Sequence, residues 1–493
     1  MAHLRREDLQ IKVPALLYLS RLGYQYLTGT QLRSRDRNTN ILTDTLRETA
    51  ERINGTRMTP EDFGRLTGDL QSQLDADDLG KQFYGTIRNG WNGLRLIDYE
   101  HPENNLFQSA SELACGSGAG SFRPDITLFV NGLPLAMIEV KSGVRSGGLL
   151  TEYDRMQERI RSREGRKYLQ CAQIWAFSDD QEDAAGRFQP TEGTFFATVM
   201  ADDFPVYAVR ETHTGIYSRL LPENREEECR ILEDNGIMTR PHTRSFQRSL
   251  SPRKPTHRML TSLFHPERFL FLLRYGIRYI QETDPAGREL VTRRMLTTEQ
   301  LSGLKALTGK AKRGYRNWTV PSCGAAGEEA ANASMITLLQ ELEPEARLYW
   351  ISHDETELRR EQTAFRFCGI PCARCEKAAD RQMMFLATES DLKTVLQKTG
   401  EDRFTGRRVF LLPQPVPKYR QGTVLLTELR KAYPEAVLIT RTTNRIPEGS
   451  SAFLLSARTD GTLYYYATVQ QEKNRTGCFR MTNGIFIRHI ADD

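Results

Sequence analysis

The sequence predicts an α/β chain: a mixed sheet flanked by helices, then a second α/β domain. Three observations carry this expectation. Two β-rich runs, Ile126-Thr-Leu-Phe-Val130 and Leu135-Ala-Met-Ile-Glu-Val-Lys141, meet at Asn131-Gly132, a strong hairpin dipeptide. A basic helical run from Arg155 to Lys167 follows directly. Further on, strand-like and helix-like runs alternate, as Arg347–Asp354 does with the stretch through Leu358 to Gln362. Such alternation suits a parallel sheet with crossover helices.

The hairpin holds the chemistry. Pro124-Asp125 opens its first strand, and Glu139-Val-Lys141 closes its second. Side chains alternate faces, so Glu139 and Lys141 share one. A two-residue loop, Asn131-Gly132, pairs Val130 with Leu133 and turns Asp125 to the wrong face, opposite Ile138. A three-residue loop, Asn131-Gly132-Leu133, pairs Val130 with Pro134 and Asp125 with Glu139. Joining the two carboxylates therefore demands an odd loop or a bulge, because a one-residue slip reverses the faces. Asp125 and Glu139 are the expected metal ligands, since Mg²⁺ (or Mn²⁺) favours carboxylates together with waters and phosphate oxygens. Such an ion stabilises developing charge and makes bound water a better nucleophile. Lys141 would position or deprotonate that water, or steady the pentavalent phosphate. The alternative is an exposed hairpin with solvated charges.

In the next helix Arg155, Arg159, Arg161, Arg163, Arg166 and Lys167 outnumber Glu158 and Glu164. They are candidates for positioning a DNA duplex through its phosphates, against the alternative of a solvated basic face. The net charge of +5 permits nucleic acid. Eight unevenly spaced cysteines among 493 residues suggest reduced thiols in the cytoplasm. The N-terminal residues lack an apolar signal core, and the apolar run Phe269-Leu-Phe-Leu-Leu273 is too short for a bilayer. Cys368, Cys372 and Cys375 offer thiolates without a close fourth ligand. A turn with chance cysteines is preferred there over an iron–sulfur or zinc site.

A set of separated motifs carries a resemblance. Leu22-Gly23-Tyr24, Ile53-Asn54, Arg95-Leu-Ile-Asp98-Tyr-Glu-His-Pro-Glu-Asn-Asn105, Arg123-Pro-Asp125, Val130-Asn-Gly-Leu-Pro134 and Ile138-Glu-Val-Lys141 occur in this order. Together they resemble the N-terminal PD-(D/E)xK nuclease domain of the restriction (R) subunit of type I restriction–modification enzymes. The resemblance implies that Asp125 and Glu139 bind metal and that Lys141 is the catalytic lysine. It also implies a Gln-x-x-x-Tyr motif on the next helix, where Gln157 fits but Arg161 occupies the tyrosine position.

The implied domains are a nuclease over 1–240, a basic linker over 241–258, a degenerate RecA-like (translocase-derived) domain over 259–450, and a β-rich segment over 451–493. The linker combines Pro241, Pro252 and Pro255 with several arginines, and a helical pattern follows from Leu260 to Gln281. The phosphate loop of a motor would fall near Trp318–Ser334. From Asn317 to Ala346, however, there is no Lys or Arg, while Glu328, Glu329, Glu341, Glu343 and Glu345 lie there. A P-loop needs its lysine for the β/γ-phosphates, so no ATP use is expected. Asp354-Glu355 can be read as the end of a Walker B strand, but the spacing to Leu358 and Gln362 fits the motor's next strand-and-helix element better.

The expected function is a Mg²⁺-dependent DNA endonuclease in restriction or antiviral defence, working without its own ATP-driven translocation. Double-stranded DNA is the expected substrate, with a protein partner or homo-oligomer supplying recognition and control, and no membrane. Alternatives are a non-catalytic DNA-binding or scaffold subunit, or an ATP-dependent subunit with an unrecognised nucleotide site.

Overall fold

A computed structural model describes residues 7–116, 121–141, 148–180, 194–196, 220–252, 254–283, 287–296, 304, 308, 317–321, 328–374, 384–392, 404, 406–415, 427–429, 431–442 and 451–452. The chain divides into two compact units, Met1–Arg274 and Tyr275–Asp493.

In the first unit a π-helical turn, Asp8–Lys12, runs into α1 (Val13–Arg21) and then edge strand β1 (Gln25–Leu27). Helices α2 (Thr43–Asn54), α3 (Pro60–Asp75) and α4 (Lys81–Asn89) follow. Thr59 caps α3 by accepting from Asp62 N–H, and Leu66, Leu70 and Leu74 form its buried stripe. Next come β2 (Phe107–Ser111), β3 (Ile126–Val130), β4 (Leu133–Val140), α5 (Gly148–Arg161), α6 (Arg163–Cys171), β5 (Ile174–Ser178) and β6 (Thr194–Phe196). The strands lie in the order β1-β2-β3-β4-β5-β6. The β2–β3 and β3–β4 pairs are antiparallel, and the other three are parallel. This is the expected mixed sheet with flanking helices. β3 and β4 are buried along their whole length because they sit in its middle. One face packs Phe129, Met137, Trp175 and Phe177 against Met156, Ile160 and Leu169 of the two helices after β4.

The stretch 241–258, expected as an exposed linker, folds into the first unit. After α7 (Arg225–Asp234) it contributes α8 (Arg244–Ser249) and the start of α9 (Pro255–Phe264). Phe246, His257 and Leu260 are buried. Thr261 Oγ1 bonds Tyr18 Oη at 2.7 Å, and Lys254 Nζ pairs with Asp180 at 2.6 Å. Pro255 is the first residue of a helix, where its missing N–H costs nothing. The continuous helix expected from Leu260 to Gln281 also divides. α10 (Pro266–Phe271) restarts at Pro266, and β7 (Ile277–Thr283) begins where the alternating Ile277-Arg-Tyr-Ile280 replaces helical spacing.

In the second unit β7 pairs antiparallel with β8 (Glu289–Met295). The remaining strands are β9 (Asn317–Pro321), β10 (Arg347–Ser352), β11 (Ala373–Arg374), β12 (Met384–Thr388), β13 (Arg408–Pro415), β14 (Val437–Thr442) and β15 (Ser451–Ala452). They form one sheet in the order β11-β12-β10-β13-β14-β9-β15, and every pair in it is parallel. Helix α11 (Glu328–Leu342) connects β9 to β10, and α12 (Glu355–Phe367) follows β10. Asp354 is the N-cap of α12, accepting from Glu357 N–H, which gives Asp354-Glu355 a local structural role. Apart from Ser451–Ala452, the expected β-rich segment 451–493 lies outside the described residues.

Candidate active site

The hairpin of β3 and β4 sets the geometry. Asn131 and Gly132 both have positive φ, 53° and 81°, the backbone of a tight two-residue hairpin turn. Val130 therefore pairs with Leu133. Left alone, that register would turn Asp125 away from Glu139. The ladder then slips: Phe129 pairs with Pro134, but Leu128 pairs with Ala136, leaving Leu135 as an extra residue on β4. Pro134 has no N–H to give the ladder, and an irregularity beside it follows from that. The bulge restores Ile126 opposite Ile138, so Asp125 comes level with Glu139. The odd residue demanded by the chemistry lies in the strand, not in the loop.

The turn itself is buried and cross-braced. Asn131 is fully buried; its Nδ2 donates to Leu96 O (2.9 Å) and Asn105 Oδ1 (2.8 Å), and its Oδ1 accepts from Leu106 N (2.8 Å). Asn105 in turn accepts from Asp98 N, and Asp98 accepts from Glu100 N, His101 N and Asn104 Nδ2. These bonds draw the Asp98 carboxyl below its ordinary value against the opposing effect of burial. The Arg95–Asn105 motif thus supports the hairpin. A Cβ on Gly132 would stand 2.6 Å from Leu42 O, so only glycine fits there.

Asp125 Oδ2 accepts from Val140 N at 2.8 Å, and Glu139, only 4% exposed, lies within hydrogen-bonding reach of the Asp125 carboxyl. Burial, then the Asp125 charge and hydrogen bond, push the Glu139 carboxyl well above the usual range. Burial pulls the Lys141 ammonium down, but Asp125, Glu152, Glu139 and Glu7 together hold it above its ordinary value. Two adjoining carboxylates, one of them deeply buried, suit a hard divalent cation that also takes waters and phosphate oxygens. Among the described residues no group of three or more His, Cys, Asp or Glu side chains gathers closely enough to enclose an ion. A carboxylate pair is nevertheless a sufficient protein contribution for Mg²⁺ or Mn²⁺.

The predicted residues of α5 and α6 divide among several environments. Gln157 is half-buried on α5. Arg155 is exposed and pairs with Glu152, whereas Arg159 lies 4.7 Å over the Phe122 ring. Arg161 is exposed, and the side chain of Arg163 lies outside the described residues. Arg166 reaches Asp77 at 3.9 Å and Lys167 reaches Asp75 at 3.0 Å, so both have acidic partners at and just beyond the end of α3. Two residues not singled out from the sequence approach Lys141 Nζ: Glu152 at 3.7 Å and Glu7 at 3.9 Å. Their only sequence signal was the Glu152/Arg155 spacing on a helix, which is common on any surface. In the second unit, Cys368 Sγ donates to Tyr279 O and Cys372 Sγ to Gln362 O, while Cys375 lies outside the described residues.

The fold and this cluster define a mixed-sheet α/β domain with a carboxylate–lysine site on its central hairpin. Residues 5–186 match the family model described as Type I restriction enzyme R protein N terminus. The chain is 31% identical over 163 aligned residues to the Type I restriction enzyme HindI endonuclease subunit of Haemophilus influenzae, covering 28% of this chain and 15% of that subunit. It is also 46% identical over 50 residues to the MjaVIIIP endonuclease subunit assigned to a type I restriction enzyme of Methanocaldococcus jannaschii, covering 10% and 5% of the two chains. The N-terminal part of the chain is thus similar to the N-terminal region of type I restriction enzyme R subunits. The matches span less than a sixth of either relative's length. No helix among the described residues is long and apolar enough to cross a membrane.

Proposed function

We propose that the first unit is a metal-dependent DNA endonuclease of the PD-(D/E)xK type, serving restriction or antiviral defence in the cytoplasm. The observation that carries this reading is the Leu135 bulge, which aligns Asp125 with Glu139 and so with Lys141. Asp125 and Glu139 would hold Mg²⁺ or Mn²⁺. Such an ion, when bound, supplies neutralisation of developing phosphate charge and acidifies water. The chain's own residues do the rest. Val140 N–H fixes the Asp125 carboxyl, burial fixes Glu139, and Lys141 donates to a phosphoryl oxygen or to the attacking water. Arg155, Arg159 and Arg161 lie on the helix after the hairpin and can contact duplex phosphates, which position rather than specify. Gln157 is the remaining candidate from that helix. Recognition and control come from a protein partner or from homo-oligomers.

The second unit reads as a RecA-like lobe that does not use ATP. Its all-parallel sheet supports this, as does the divergence of connections at β9 and β14: β9 leads to β10 on one side, and β14 leads to β15 on the other. Open parallel sheets bind ligands outside the strand ends at such a point. There the first turn of α11 carries Glu328 and Glu329 where a P-loop needs Lys and Ser/Thr. β13, separated from β9 by β14, ends in Leu412-Pro413-Gln414-Pro415, with no carboxylate for a nucleotide's Mg²⁺.

The test is Mg²⁺-dependent cleavage of plasmid DNA and of RNA in parallel by the wild-type chain and by Asp125→Ala, Glu139→Ala and Lys141→Ala. Cleavage of DNA by the wild type alone is expected. Equal activity in all four proteins, or none in the wild type, ends the nuclease reading.

A further inference from the structure

We propose that Glu152 is a positioning residue for Lys141, acting with Glu7 as a two-armed carboxylate clamp that aims the ammonium at the site. The inference rests on the nuclease reading for its catalytic consequence, though not for the clamp itself. The backbone of Lys141 is fixed, since its N–H donates to Ser178 O at 2.8 Å. Its side chain is another matter. A lysine is a point charge on a flexible four-carbon stem with many rotamers, and strand geometry selects a face without selecting a rotamer. The ion-pair partners of the ammonium are Glu152 at 3.7 Å and Glu7 at 3.9 Å, approaching from α5 and from the N-terminal helical turn.

Both arms are themselves held. The Glu152 side chain is 8% exposed and paired with Arg155 one turn on. Its burial separates it from an ordinary solvated helix pair, which contributes little. Glu7 is 17% exposed and precedes a buried anchor: the Lys12 ammonium, 3% exposed, pairs with Asp8 at 2.7 Å and with Glu112 at 2.5 Å. Removing one partner of a buried pair strands the other charge, so the Lys12 pairs lock the helical turn against the end of β2. The N-terminal turn is thereby part of the active site, although Glu7 and Lys141 lie far apart in the sequence.

Two readouts on the full chain test the clamp. Competitive labelling of amines with acetic anhydride, followed peptide by peptide by mass spectrometry, reports how firmly Lys141 is held, with the exposed lysines of the same chain as internal reference. Glu152→Gln should raise Lys141 labelling about three- to tenfold, the loss of one partly buried ion pair; Glu7→Gln should do so to a smaller extent. Cleavage kinetics should show kcat falling about 10- to 100-fold for Glu152→Gln, the cost of a misaimed group, with KM for DNA and the melting temperature unchanged. Unchanged labelling overturns the clamp whether or not the protein cuts DNA. Raised labelling with unchanged kcat overturns the positioning role. A wild type that cleaves nothing fails the nuclease reading and the catalytic consequence together, while labelling still decides whether the clamp exists. If Glu152→Gln lowers the melting temperature, Glu152→Asp, which keeps the charge but shortens its reach, should label at an intermediate rate; labelling equal to that of the Gln variant would also overturn the clamp.

Discussion

The two units meet the same demand, holding charge at the ends of sheet strands, in opposite ways. The first gathers Asp125, Glu139, Lys141, Glu152 and Glu7 around one hairpin and braces that hairpin through Asn131 and Asn105. The second keeps a parallel sheet and its helices, yet the region after β9 carries acids and no cation. The difference teaches that a fold's architecture and its chemistry are maintained by different residues. Burial of Tyr349, Phe385 and Phe410 holds the sheet of the second unit together, and none of these side chains is itself a phosphate-binding group.

Four measurements would break or sharpen that contrast. The largest effect belongs to the hairpin. Asp125→Ala, Glu139→Ala and Lys141→Ala should each lower Mg²⁺-dependent cleavage by at least about 10²–10³-fold, the scale for losing one preorganised charged group. Circular dichroism should show the fold retained, and a loss of fold in all three would make these residues structural. Next comes Asn131→Ala, which takes the partner from the half-buried N–H of Leu106 and from the buried carbonyl of Leu96. Each unsatisfied group costs about 1–3 kcal/mol, so an unfolding free energy from urea denaturation lowered by roughly 2–4 kcal/mol is expected. An unfolding free energy within about 0.5 kcal/mol of wild type, a rough noise limit, would show that the brace is dispensable.

The third contrast is acid response. His257, stacked on Tyr18 at 4.3 Å, is driven down to about 4 by burial. Unfolded, it titrates near 6.5, so below that pH the unfolded chain takes the proton first, and the first unit loses stability as pH falls from 6.5 toward 4. Glu361 is driven up to about 7 by burial, which outweighs the hydroxyl of Ser352. Its contribution runs the other way: fully present below about 4.5 and lost as pH rises through 7. Between pH 7 and 5 the His257 contribution to the first unit should fall by about 2 kcal/mol and the Glu361 contribution to the second should rise by about 2 kcal/mol. Hydrogen exchange, corrected for intrinsic rates, can follow β3–β4 and β10–β13 peptides separately in the intact chain. The pH shift of the β3–β4 peptides should change in His257→Gln, and that of the β10–β13 peptides in Glu361→Gln; a shift identical to wild type in either variant would contradict that assignment. The smallest effect is a null one. Titration calorimetry with millimolar ATP and Mg²⁺ should show no binding, and phosphate release should stay at background with or without DNA. DNA-stimulated release that persists in Asp125→Ala would restore a motor to the second unit.

Much of the first unit was legible because its signals are local. Asn131-Gly132 specifies a turn, the period of two assigns faces, and together they stated that an odd residue was needed between Asp125 and Glu139. Which residue was odd could not be read. A three-residue loop and a bulge satisfy the same requirement, and only packing of the turn against Leu42 and Leu96 chooses between them. The connector was misread for a related reason: prolines and arginines mark both open linkers and the starts and exposed faces of helices, and the buried Phe246 and His257 decide between them only in three dimensions. Glu7 and Glu152 were invisible because their roles exist only across helix–sheet contacts.

The bulge at Leu135 also bears on how such a protein can change over time. Every acid and the lysine of the hairpin can stay in the sequence while the site disappears, since losing a single codon between Val130 and Ile138 swaps inner for outer along half the hairpin. An inventory of residues would then still call the chain competent. Length between Asp125 and Glu139 is a heritable trait as binding as the letters themselves, and a survey of related genes should find substitutions there more freely than insertions or deletions of one residue.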